Sequence, residues 1–368
     1  MKVLHINSYY SKSYFYKNLY DKQVENGLII NVFVPVEYSF RCSNFDYGNY
    51  TRLSRNFSNI DRYLYLSKQS KIYYDLIKTY GVREYDLVHA HSLFTNGNIA
   101  LKIKTDFDVP FVVAVRNTDL NLFYKIPFMK RLGSEILKEA SRVIFLSQPY
   151  LEKVIEKYIP EQMKDEIRKK STVIPNGIDD YWLINKAISR NIVHEKQLKL
   201  VYAGIIDKNK NITATARAIE ILLHNGYDIS FTAVGRVVES KILESLKRKS
   251  YFEYYTQKPK EELIEIYRNN DIFVMPSKTE TFGLVYAEAM SQGLPIIYTR
   301  GQGFDGQFDE GVVGYSVDSD NYEEIAEKIV KIAENYPELS KRAISLCDRF
   351  EWNSIVKQYI QLYGECKI

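Results

Sequence analysis

Short runs of β-branched and aromatic residues recur along the first half of the chain, separated by segments compatible with helices. We predict strands at Val3–Asn7, Ile29–Val34, Leu87–His91, Phe111–Val115, Val143–Leu146 and Thr172–Ile174. The clearest helical segments between them are Asp61–Tyr80 and Ser134–Ala140. This alternation is typical of a parallel sheet with helices on both faces.

The second half repeats the same pattern with clearer boundaries. We predict strands at Lys199–Ala203, Ile229–Val234, Phe252–Tyr255, Ile272–Met275 and Pro295–Tyr298. We predict helices at Ile212–Asn225, Lys260–Asn270, Leu284–Gln292 and Glu323–Asn335. Gly226 and Gly293 stand where helix C-caps belong, which supports two of these boundaries.

The two halves meet at a turn, Pro175-Asn176-Gly177, and an irregular stretch to about Gln197, where we place a hinge. A length of 368 residues fits two domains. The sequence therefore predicts an α/β protein with two doubly wound, Rossmann-like domains facing across a cleft. In such sheets ligands bind beyond the carboxyl ends of the strands. The loop after the first strand, Asn7 to Tyr10, lacks the G-x-G-x-x-G pattern, which disfavours a Rossmann dehydrogenase.

Composition narrows the class of protein only a little. Hydrophobic residues make up 45% of the chain and charged residues 26%, as in ordinary globular proteins. The sequence has no apolar run of transmembrane length and no signal-peptide pattern at its start, so we expect a cytoplasmic protein. Its three cysteines are scattered and His89 and His91 lack a supporting cysteine or carboxylate, so neither a disulfide framework nor a zinc site is indicated.

Positive charge is concentrated in the first half of the chain. Residues 1–180 contain 26 Lys and Arg against 20 Asp and Glu, whereas the remainder contains 24 against 26. A basic first half is compatible with an anionic membrane surface or a phosphate-bearing acceptor. A solvated basic surface without a partner explains the same charge equally well. No nucleic-acid-binding motif accompanies it, so we expect no nucleic-acid partner.

The most informative polar residues follow the predicted strand Ile272–Met275. Glu280 would lie just before the next helix, and Glu288 little more than one turn inside it. The first N–H groups of that helix, at residues 282–284, lack intrahelical partners and attract a phosphate. Carboxylates on either side are suited to accepting hydrogen bonds from hydroxyls. A sugar nucleotide supplies this arrangement, with a diphosphate between ribose hydroxyls and sugar hydroxyls.

Two more strand ends in the second half carry groups suited to a diphosphate. Gly204 opens the loop that contains Lys210, just ahead of a predicted helix, and Arg236 follows Gly235 at a third strand end. Each of these residues alone is most simply a solvated loop residue. Their occurrence at strand ends of one predicted domain favours a shared binding site.

These residues resemble the retaining glycosyltransferases of family 4, which have the GT-B fold. Glu280 and Glu288 match the family's E-x7-E motif, within a context formed by Pro276-Ser277, Glu280-Thr281-Phe282-Gly283, Glu288-Ala289-Met290 and Gly293-Leu294-Pro295. Similar segments are Asp86 to His91, Ile174 to Asp179, and Phe350-Glu351-Trp352 with the final helix, which in the family crosses back to the N-domain. The resemblance implies an acceptor-side domain at 1–180, a donor-nucleotide domain at 181–348 and a crossing helix at 349–368.

The resemblance also implies roles for individual residues. Glu288 would hold the ribose hydroxyls, Glu280 would contact the donor sugar, and Lys210 would bind the diphosphate. With the strand-end residues, the predicted donor site comprises Gly204, Lys210, Arg236, Glu280, Thr281, Phe282, Gly283, Leu284 and Glu288. We predict that Glu280, Lys210 and Arg116 contribute to catalysis, Glu280 by positioning the donor.

Three departures from the family pattern concern the diphosphate and the acceptor. Ile205 stands where the family has an arginine, and Arg116-Asn117 replaces a histidine-glycine pair. The loop Asn7-Ser8-Tyr9-Tyr10 replaces a glycine-rich loop. We predict acceptor-side positions at Asn7, Ser8, Tyr9, Asn117 and Asp119.

The expected activity is transfer of a sugar from a nucleoside diphosphate sugar to a glycan or lipid-linked acceptor, with retention of configuration, in surface polysaccharide synthesis. Without an Asp-x-Asp motif, we expect no metal and no other cofactor. The basic first half is compatible with peripheral contact at the inner face of a membrane. Two alternatives stay open: a non-catalytic nucleotide-sugar-binding protein, and another GT-B-like enzyme such as a nucleotide-sugar epimerase.

Overall fold

The computed structural model describes residues 1–42, 44–188 and 196–366. They form two compact units. Unit 1 contains residues 1–146 and 150–175 together with the segment from Trp352 onward, and unit 2 contains residues 147–149 and 176–351. The predicted hinge overlaps residues 189–195, which lie outside the described residues. The described part of that stretch includes a short helix, residues 180–184.

All strand pairs are parallel within two sheets. In the described chain, the sheet of unit 1 has seven strands in the order β3-β2-β1-β4-β5-β6-β7, and that of unit 2 has six in the order β10-β9-β8-β11-β12-β13. The strands are β1 Lys2–Ile6, β2 Ile29–Glu37, β3 Thr51–Phe57, β4 Leu87–Ala90, β5 Phe111–Ala114, β6 Arg142–Phe145, β7 Ser171–Val173, β8 Gln197–Ala203, β9 Asp228–Val234, β10 Phe252–Tyr255, β11 Ile272–Val274, β12 Ile296–Thr299 and β13 Gly314–Val317.

Helices connect the parallel strands, as such sheets require. They are α1 Tyr16–Glu25, α2 Tyr65–Thr79, α3 Gly97–Phe107, α4 Asn117–Asn121, α5 Pro127–Glu139, α6 Gln148–Tyr158, α7 Glu161–Lys169, α8 Asp180–Ile184, α9 Ile212–His224, α10 Ser240–Leu246, α11 Lys260–Arg268, α12 Leu284–Ser291, α13 Tyr322–Glu334, α14 Tyr336–Leu346 and α15 Trp352–Gly364. Short 3-10 segments occur at Ile60–Arg62, Val82–Glu84, Phe123–Lys125 and Cys347–Phe350. In the described residues, no helix combines the length and apolar character needed to cross a membrane.

Two doubly wound parallel sheets confirm the predicted α/β class, and every predicted strand overlaps an observed one. The pattern missed β3 and β13. β3 has the sequence TRLSRNF and is an edge strand with a half-exposed face, so its apolar signal is weak. β13 has only four residues and begins at a glycine.

The core of unit 1 includes side chains from the far end of the chain. Trp352, Val356 and Tyr363 of α15 are buried in one apolar cluster with Val3 of β1 and Leu19 of α1. α15 packs against α1, and Gln23 of α1 donates a hydrogen bond to the Tyr363 hydroxyl at 3.2 Å. Unit 1 is therefore built from two segments of the sequence that are far apart.

Candidate active site

The strand order of unit 2 reverses direction beside β8. The chain proceeds from β8 to β9 and β10 on one side, and β11 then pairs with β8 on the other side. The loops that leave the carboxyl ends of β8 and β11 diverge at this point. Open α/β sheets bind ligands at such a switch point, because the diverging loops leave a crevice between them.

Hydrogen bonds tie the two diverging loops together. The N–H of Lys278 donates to the Asn209 carbonyl at 2.8 Å, and the Asn209 amide donates to the Thr279 carbonyl at 2.9 Å. Deeper in the crevice, the Asn211 amide donates to the Pro276 carbonyl at 3.2 Å. These bonds fix the loop after β8 against the loop after β11. The polar residues predicted on the two loops therefore lie in one site.

Lys210 and Glu280 meet in this crevice. The Lys210 Nζ lies 2.5 Å from Glu280 Oε2, and both side chains are mostly removed from solvent. The other carboxylate oxygen of Glu280 accepts the N–H of Thr281 at 3.0 Å. The N–H of Lys210 is held by Asp207 at 2.7 Å. The structure therefore joins a predicted diphosphate-binding cation to a predicted sugar-binding carboxylate, each positioned by backbone contacts.

The start of α12 lies directly beside this ion pair. Its N-cap, Gly283, has a φ of +79°, and a Cβ at that position would lie 2.4 Å from the Tyr286 ring. Only glycine meets both requirements. Phe282 points inward and packs on the rings of Phe304 and Phe350. The loop from Thr281 to Leu284 thus presents main-chain N–H groups, which suit a phosphate oxygen.

Glu288 lies one turn into α12 and differs electrostatically from Glu280. Burial, and then the nearby Asp179 carboxylate, raise the pKa of Glu288 to about 7. Asp179 itself caps α8 through the Tyr181 N–H at 2.8 Å and pairs with Lys260 at 2.8 Å. The carboxyl of Glu288 therefore titrates near neutrality, where hydroxyl ligands would stabilise its ionised form.

A cavity of about 480 Å³ adjoins α12. The predicted residues Gly204 and Arg236 line it together with Val285 of α12. Gly235 has a φ of +151°, and a Cβ there would lie 1.8 Å from the Gly204 carbonyl oxygen, so these two loops can approach only through glycine. The lining of the cavity is mainly apolar, which suits a planar ring.

Sequence reasoning missed three residues that complete this cavity: Gln257, Lys258 and Leu263. Gln257 and Lys258 follow β10, and Leu263 lies in α11. For Gln257 and Lys258, the position just beyond the end of a predicted strand was the available signal. Gln302 was also missed; it follows β12, and its side-chain oxygen accepts the Glu280 N–H at 3.1 Å.

Unit 1 has its own cavity at the corresponding switch point, beyond the ends of β1 and β4. Its volume is 460 Å³, and two predicted acceptor-side residues, Ser8 and Tyr9, line it. Gln69 of α2 also lines it. This side chain is buried, and neither its amide nitrogen nor its oxygen has a hydrogen-bond partner among the described residues. A buried, unsatisfied amide facing a cavity is suited to a polar ligand.

Two other predicted acceptor-side residues, Asn7 and Asn117, form hydrogen bonds within unit 1. Asn7 is fully buried, its amide donates to the Tyr20 hydroxyl at 2.8 Å, and its oxygen accepts the Tyr9 N–H at 3.0 Å. Asn117 accepts a hydrogen bond from Asn121 one turn later in α4. Asn7 therefore shapes the loop that places Tyr9, and its predicted acceptor-side role stays a prediction.

Asp119 and Arg116 form a buried unit at the start of α4. Asp119 is fully buried and accepts the N–H groups of Arg116 at 2.8 Å, Leu93 at 3.0 Å and Phe94 at 3.2 Å. The Arg116 Nε donates to the His91 carbonyl at 3.3 Å, while Nη1 has no partner among the described residues. Asp119 therefore anchors the backbone at the start of α4, and its acceptor-side role stays a prediction.

Replacing Asp119 with alanine should lower the free energy of unfolding by roughly 3–5 kcal/mol. It would leave three backbone donors unpaired and remove a carboxylate that interacts with the buried Arg116 guanidinium. Urea unfolding of the purified protein measures the change. The matched variant Asp165→Ala, at an exposed position of α7, should change the same quantity by no more than about 0.5 kcal/mol. Equal effects of the two substitutions would contradict the anchoring role.

Three imidazoles gather in the core of unit 1. His5, His89 and His91 bring ring nitrogens within 4.8 Å of one another, the one such group of metal-ligand side chains in the described ranges. Burial lowers the pKa of His5 to about 3 and, with the neighbouring imidazoles and Arg116, holds the pKa of the other two well below the usual value. A divalent ion there would be buried beside Arg116 without an anionic ligand, which is unfavourable.

The histidines are better explained as a link between the sheet and α15. His5 Nδ1 lies 3.0 Å from His91 Nε2, and His89 Nδ1 lies 2.7 Å from the Tyr363 hydroxyl. His5 and His89 are paired neighbours on β1 and β4. The sequence indicated His89 and His91 as a pair but gave no signal that His5 would join them, because that contact depends on the register of the two strands.

Two family models match the chain, one in each half. Residues 18–181 match the model described as Glycosyltransferase Family 4, and residues 185–345 match the model described as Glycosyl transferases group 1. An uncharacterised glycosyltransferase of Methanocaldococcus jannaschii is 23% identical over 82% of this chain and 80% of that protein. The capsular polysaccharide biosynthesis glycosyltransferase CapM of Staphylococcus aureus is 26% identical over 52% of each chain.

Solved structures with the same fold include a sucrose-phosphate synthase and a protein in complex with UDP-glucose. Sucrose-phosphate synthase from Thermosynechococcus elongatus aligns over 99% of this chain and 98% of its own, with a TM-score of 0.76 and 17% identity. Anabaena HepE in complex with UDP-glucose aligns over 99% of both chains, with a TM-score of 0.67 and 15% identity. Each half of the chain thus matches a glycosyltransferase family model, and the fold is that of the GT-B glycosyltransferases.

Proposed function

We propose that this glycosyltransferase moves a sugar from a nucleoside diphosphate sugar to a glycan or lipid-linked acceptor, with retention of configuration, in surface polysaccharide synthesis. The carrying observation is the Lys210–Glu280 ion pair at the start of α12, with Glu288 one turn further along that helix. The site offers one cation and a helix N-terminus between two carboxylates. That order of charges matches a diphosphate flanked by two sets of hydroxyls.

Each part of the donor has a candidate partner in unit 2. The diphosphate binds Lys210 and the N–H groups at the start of α12, and the ribose hydroxyls donate to Glu288. The base occupies the apolar cavity between Arg236, Leu263 and Val285. The sugar hydroxyls donate hydrogen bonds to Glu280. These bonds replace part of the contact between Glu280 and Lys210. HepE, whose structure contains UDP-glucose, supports this class of donor.

Leaving-group departure is the step that these residues assist. As the glycosidic C–O bond breaks, negative charge develops on the nucleoside diphosphate and positive charge on the sugar. Lys210 and the helix-terminal N–H groups stabilise the negative charge on the nucleoside diphosphate, because they are preorganised before the reaction. Glu280 positions the sugar. We infer that no metal or other cofactor is needed, since these groups already supply positive charge at the diphosphate; a chelator should then leave the rate unchanged.

A screen of sugar nucleotides by thermal stabilisation tests this assignment. A donor that binds only the folded protein raises its melting temperature, by an amount that grows with ligand concentration. We expect one or a few nucleoside diphosphate sugars to do so, and transfer to follow when an acceptor is added. Donor binding without transfer to any glycan or lipid-linked acceptor would favour a non-catalytic protein, and change of the sugar without an acceptor would favour an epimerase.

For the acceptor, we propose the 460 Å³ cavity of unit 1, with Gln69 as a hydrogen-bonding group for its hydroxyls. CapM, a capsular polysaccharide glycosyltransferase, supports a glycan-type acceptor. The basic first half of the chain supports an anionic acceptor or a reaction at the inner face of a membrane. The contribution of Arg116 to catalysis stays a prediction.

Replacing Gln69 with leucine should raise the acceptor KM about tenfold while leaving donor binding unchanged. Leucine is similar in size but cannot form the hydrogen bonds, whose individual contributions are about 0.5–1.5 kcal/mol. Initial-rate kinetics with varied acceptor measure the effect. Because the amide is unsatisfied in the free protein, the melting temperature should not fall; a fall without a change in acceptor KM would indicate a packing role. Gln162→Leu, at an exposed site of α7, is the control.

A further inference from the structure

A group of large apolar side chains is exposed on unit 1 in two neighbouring segments. The first runs from residue 60 to 66 and includes Tyr63, which is 90% exposed, and Leu66, which is 70% exposed. The second runs from residue 122 to 131 and includes Phe128, which is 61% exposed. The apolar members are Ile60, Tyr63, Leu64, Leu66, Leu122 and Phe128. Exposed apolar side chains clustered in this way mark an interaction surface.

The two segments adjoin through contacts of the half-buried side chains Tyr65 and Phe123. The rings of Tyr65 and Phe123 lie 6.1 Å apart, and the Tyr65 hydroxyl donates to the Phe94 carbonyl at 2.8 Å. The 3-10 segment that contains Phe123 leads directly into α5 and packs against it. Residues 60–66 and 122–131 therefore form one surface, here named the apolar–basic rim.

The rim also carries positive charge. Lys125, Lys130 and Arg131 are exposed, and they are the only charged residues between Leu120 and Ser134. On the other segment, Asp61 is buried and paired with Lys71 at 2.7 Å, so its charge is compensated. Lys130 and Arg131 share a groove with Glu135 and Glu139 of the same helix, and residues 120–139 keep a net positive charge. Apolar side chains beside a net positive charge are the combination that binds the surface of a bilayer with anionic lipids.

We propose that the apolar–basic rim docks unit 1 onto the surface of an anionic lipid bilayer. The apolar side chains enter the headgroup region, and Lys125, Lys130 and Arg131 neutralise lipid phosphates. Leu122 and Phe123 also line the 460 Å³ cavity that contains Gln69. A bilayer on the rim places the mouth of that cavity beside the headgroups. This extends the proposed function, on which it rests, by assigning the acceptor to the lipid-linked class.

Vesicle flotation of the full chain tests the docking. We expect the protein to float with vesicles of phosphatidylcholine and phosphatidylglycerol and to remain unbound with phosphatidylcholine alone. The triple variant K125E/K130E/R131E should reduce the partition coefficient roughly 100-fold, because each basic residue near an anionic surface contributes about a factor of five. The variant L64S/L66S/F128S should reduce it at least tenfold at constant charge.

The matched control is K247E/R248E/K249E, which makes the same change of charge at exposed positions of unit 2. It should float with anionic vesicles much as the unchanged protein does. Equal loss of flotation in both charge variants would overturn the proposal in favour of a net-charge effect. Failure of the unchanged protein to float would also overturn it, as would full flotation of L64S/L66S/F128S. A protein partner on the rim predicts no flotation at all. Thermal stabilisation by the donor reports separately on the proposed function and should be the same in all variants.

Discussion

Replacing Lys210 with alanine should lower kcat/KM for sugar transfer by roughly 100- to 1000-fold. A preorganised positive group at a developing negative charge is commonly worth that much. In this protein the loss is larger than that of one contact, because Lys210 lies 2.5 Å from Glu280. In the variant, the Glu280 carboxylate lies close to the diphosphate but has lost the lysine that paired with it. The carboxylate therefore repels the diphosphate. Steady-state kinetics with the donor found in the thermal screen measure the change.

Lys208 provides a control two residues away in the same loop. Its side chain is 86% exposed and lies 3.5 Å from Glu239, outside the crevice. Lys208→Ala should therefore retain a kcat/KM within about twofold of the unchanged protein, since an exposed ion pair contributes little. Turnover of Lys210→Ala at the level of Lys208→Ala would show that the Lys210–Glu280 pair only stabilises the loops.

Replacing Glu288 with glutamine should weaken donor binding about 10- to 100-fold and at the same time stabilise the free protein at alkaline pH. The loss follows from replacing a charged hydrogen-bond acceptor with a neutral one. The gain follows from the raised pKa of about 7, which means that ionised Glu288 is costly in the folded state. A residue kept despite such a cost is typical of a binding site.

The effect of Glu288→Gln on stability depends on pH, and its sign follows from the pKa of Glu288. The pKa of Glu288 is higher in the folded state than in the unfolded state, so its contribution to stability is fully present below about pH 4.5 and is lost as pH rises through about 7. Glu288→Gln should therefore melt above the unchanged protein at pH 8, and the difference should vanish near pH 4.5. Donor affinity of the unchanged protein should rise through pH 7, whereas that of the variant should stay flat.

Calorimetry at several pH values, with and without donor, measures both quantities. Glu261→Gln makes the same chemical change at an exposed position in the first turn of α11 and should alter neither. A melting difference between Glu288→Gln and the unchanged protein that is independent of pH would show that Glu288 does not titrate near neutrality.

Most residues of the candidate donor site could be grouped from the sequence because they follow one another along the chain. Glu280, Gly283 and Glu288 lie on one loop and the helix after it, where spacing alone sets their relative positions. Lys210 is distant in sequence, but it also follows a predicted strand, and parallel strands end at one edge of a sheet. The base cavity was missed in part because Leu263 faces it from α11, which only tertiary packing determines.

The polar residues of unit 1 were harder to interpret from the sequence because they form hydrogen bonds within the unit. Asp119 is polar and follows a strand, as a ligand-binding residue does, yet three backbone N–H groups occupy its carboxylate. Gln69 gives the opposite case, since a glutamine within a helix carries no sequence signal. Its importance arises from burial at a cavity, which depends on how α2 packs against the ends of β1 and β2.

The position of α15 has a consequence for synthesis on the ribosome. Unit 2 is nearly continuous in sequence, so it can fold once residue 351 has emerged. Unit 1 begins first but cannot complete the cluster around Val3 and Leu19 until Trp352, Val356 and Tyr363 arrive. At 5–20 residues per second, translation of unit 2 delays them by roughly 10–40 s. During that interval the apolar face of α1 is uncovered, and the nascent first half is then a natural client for a chaperone.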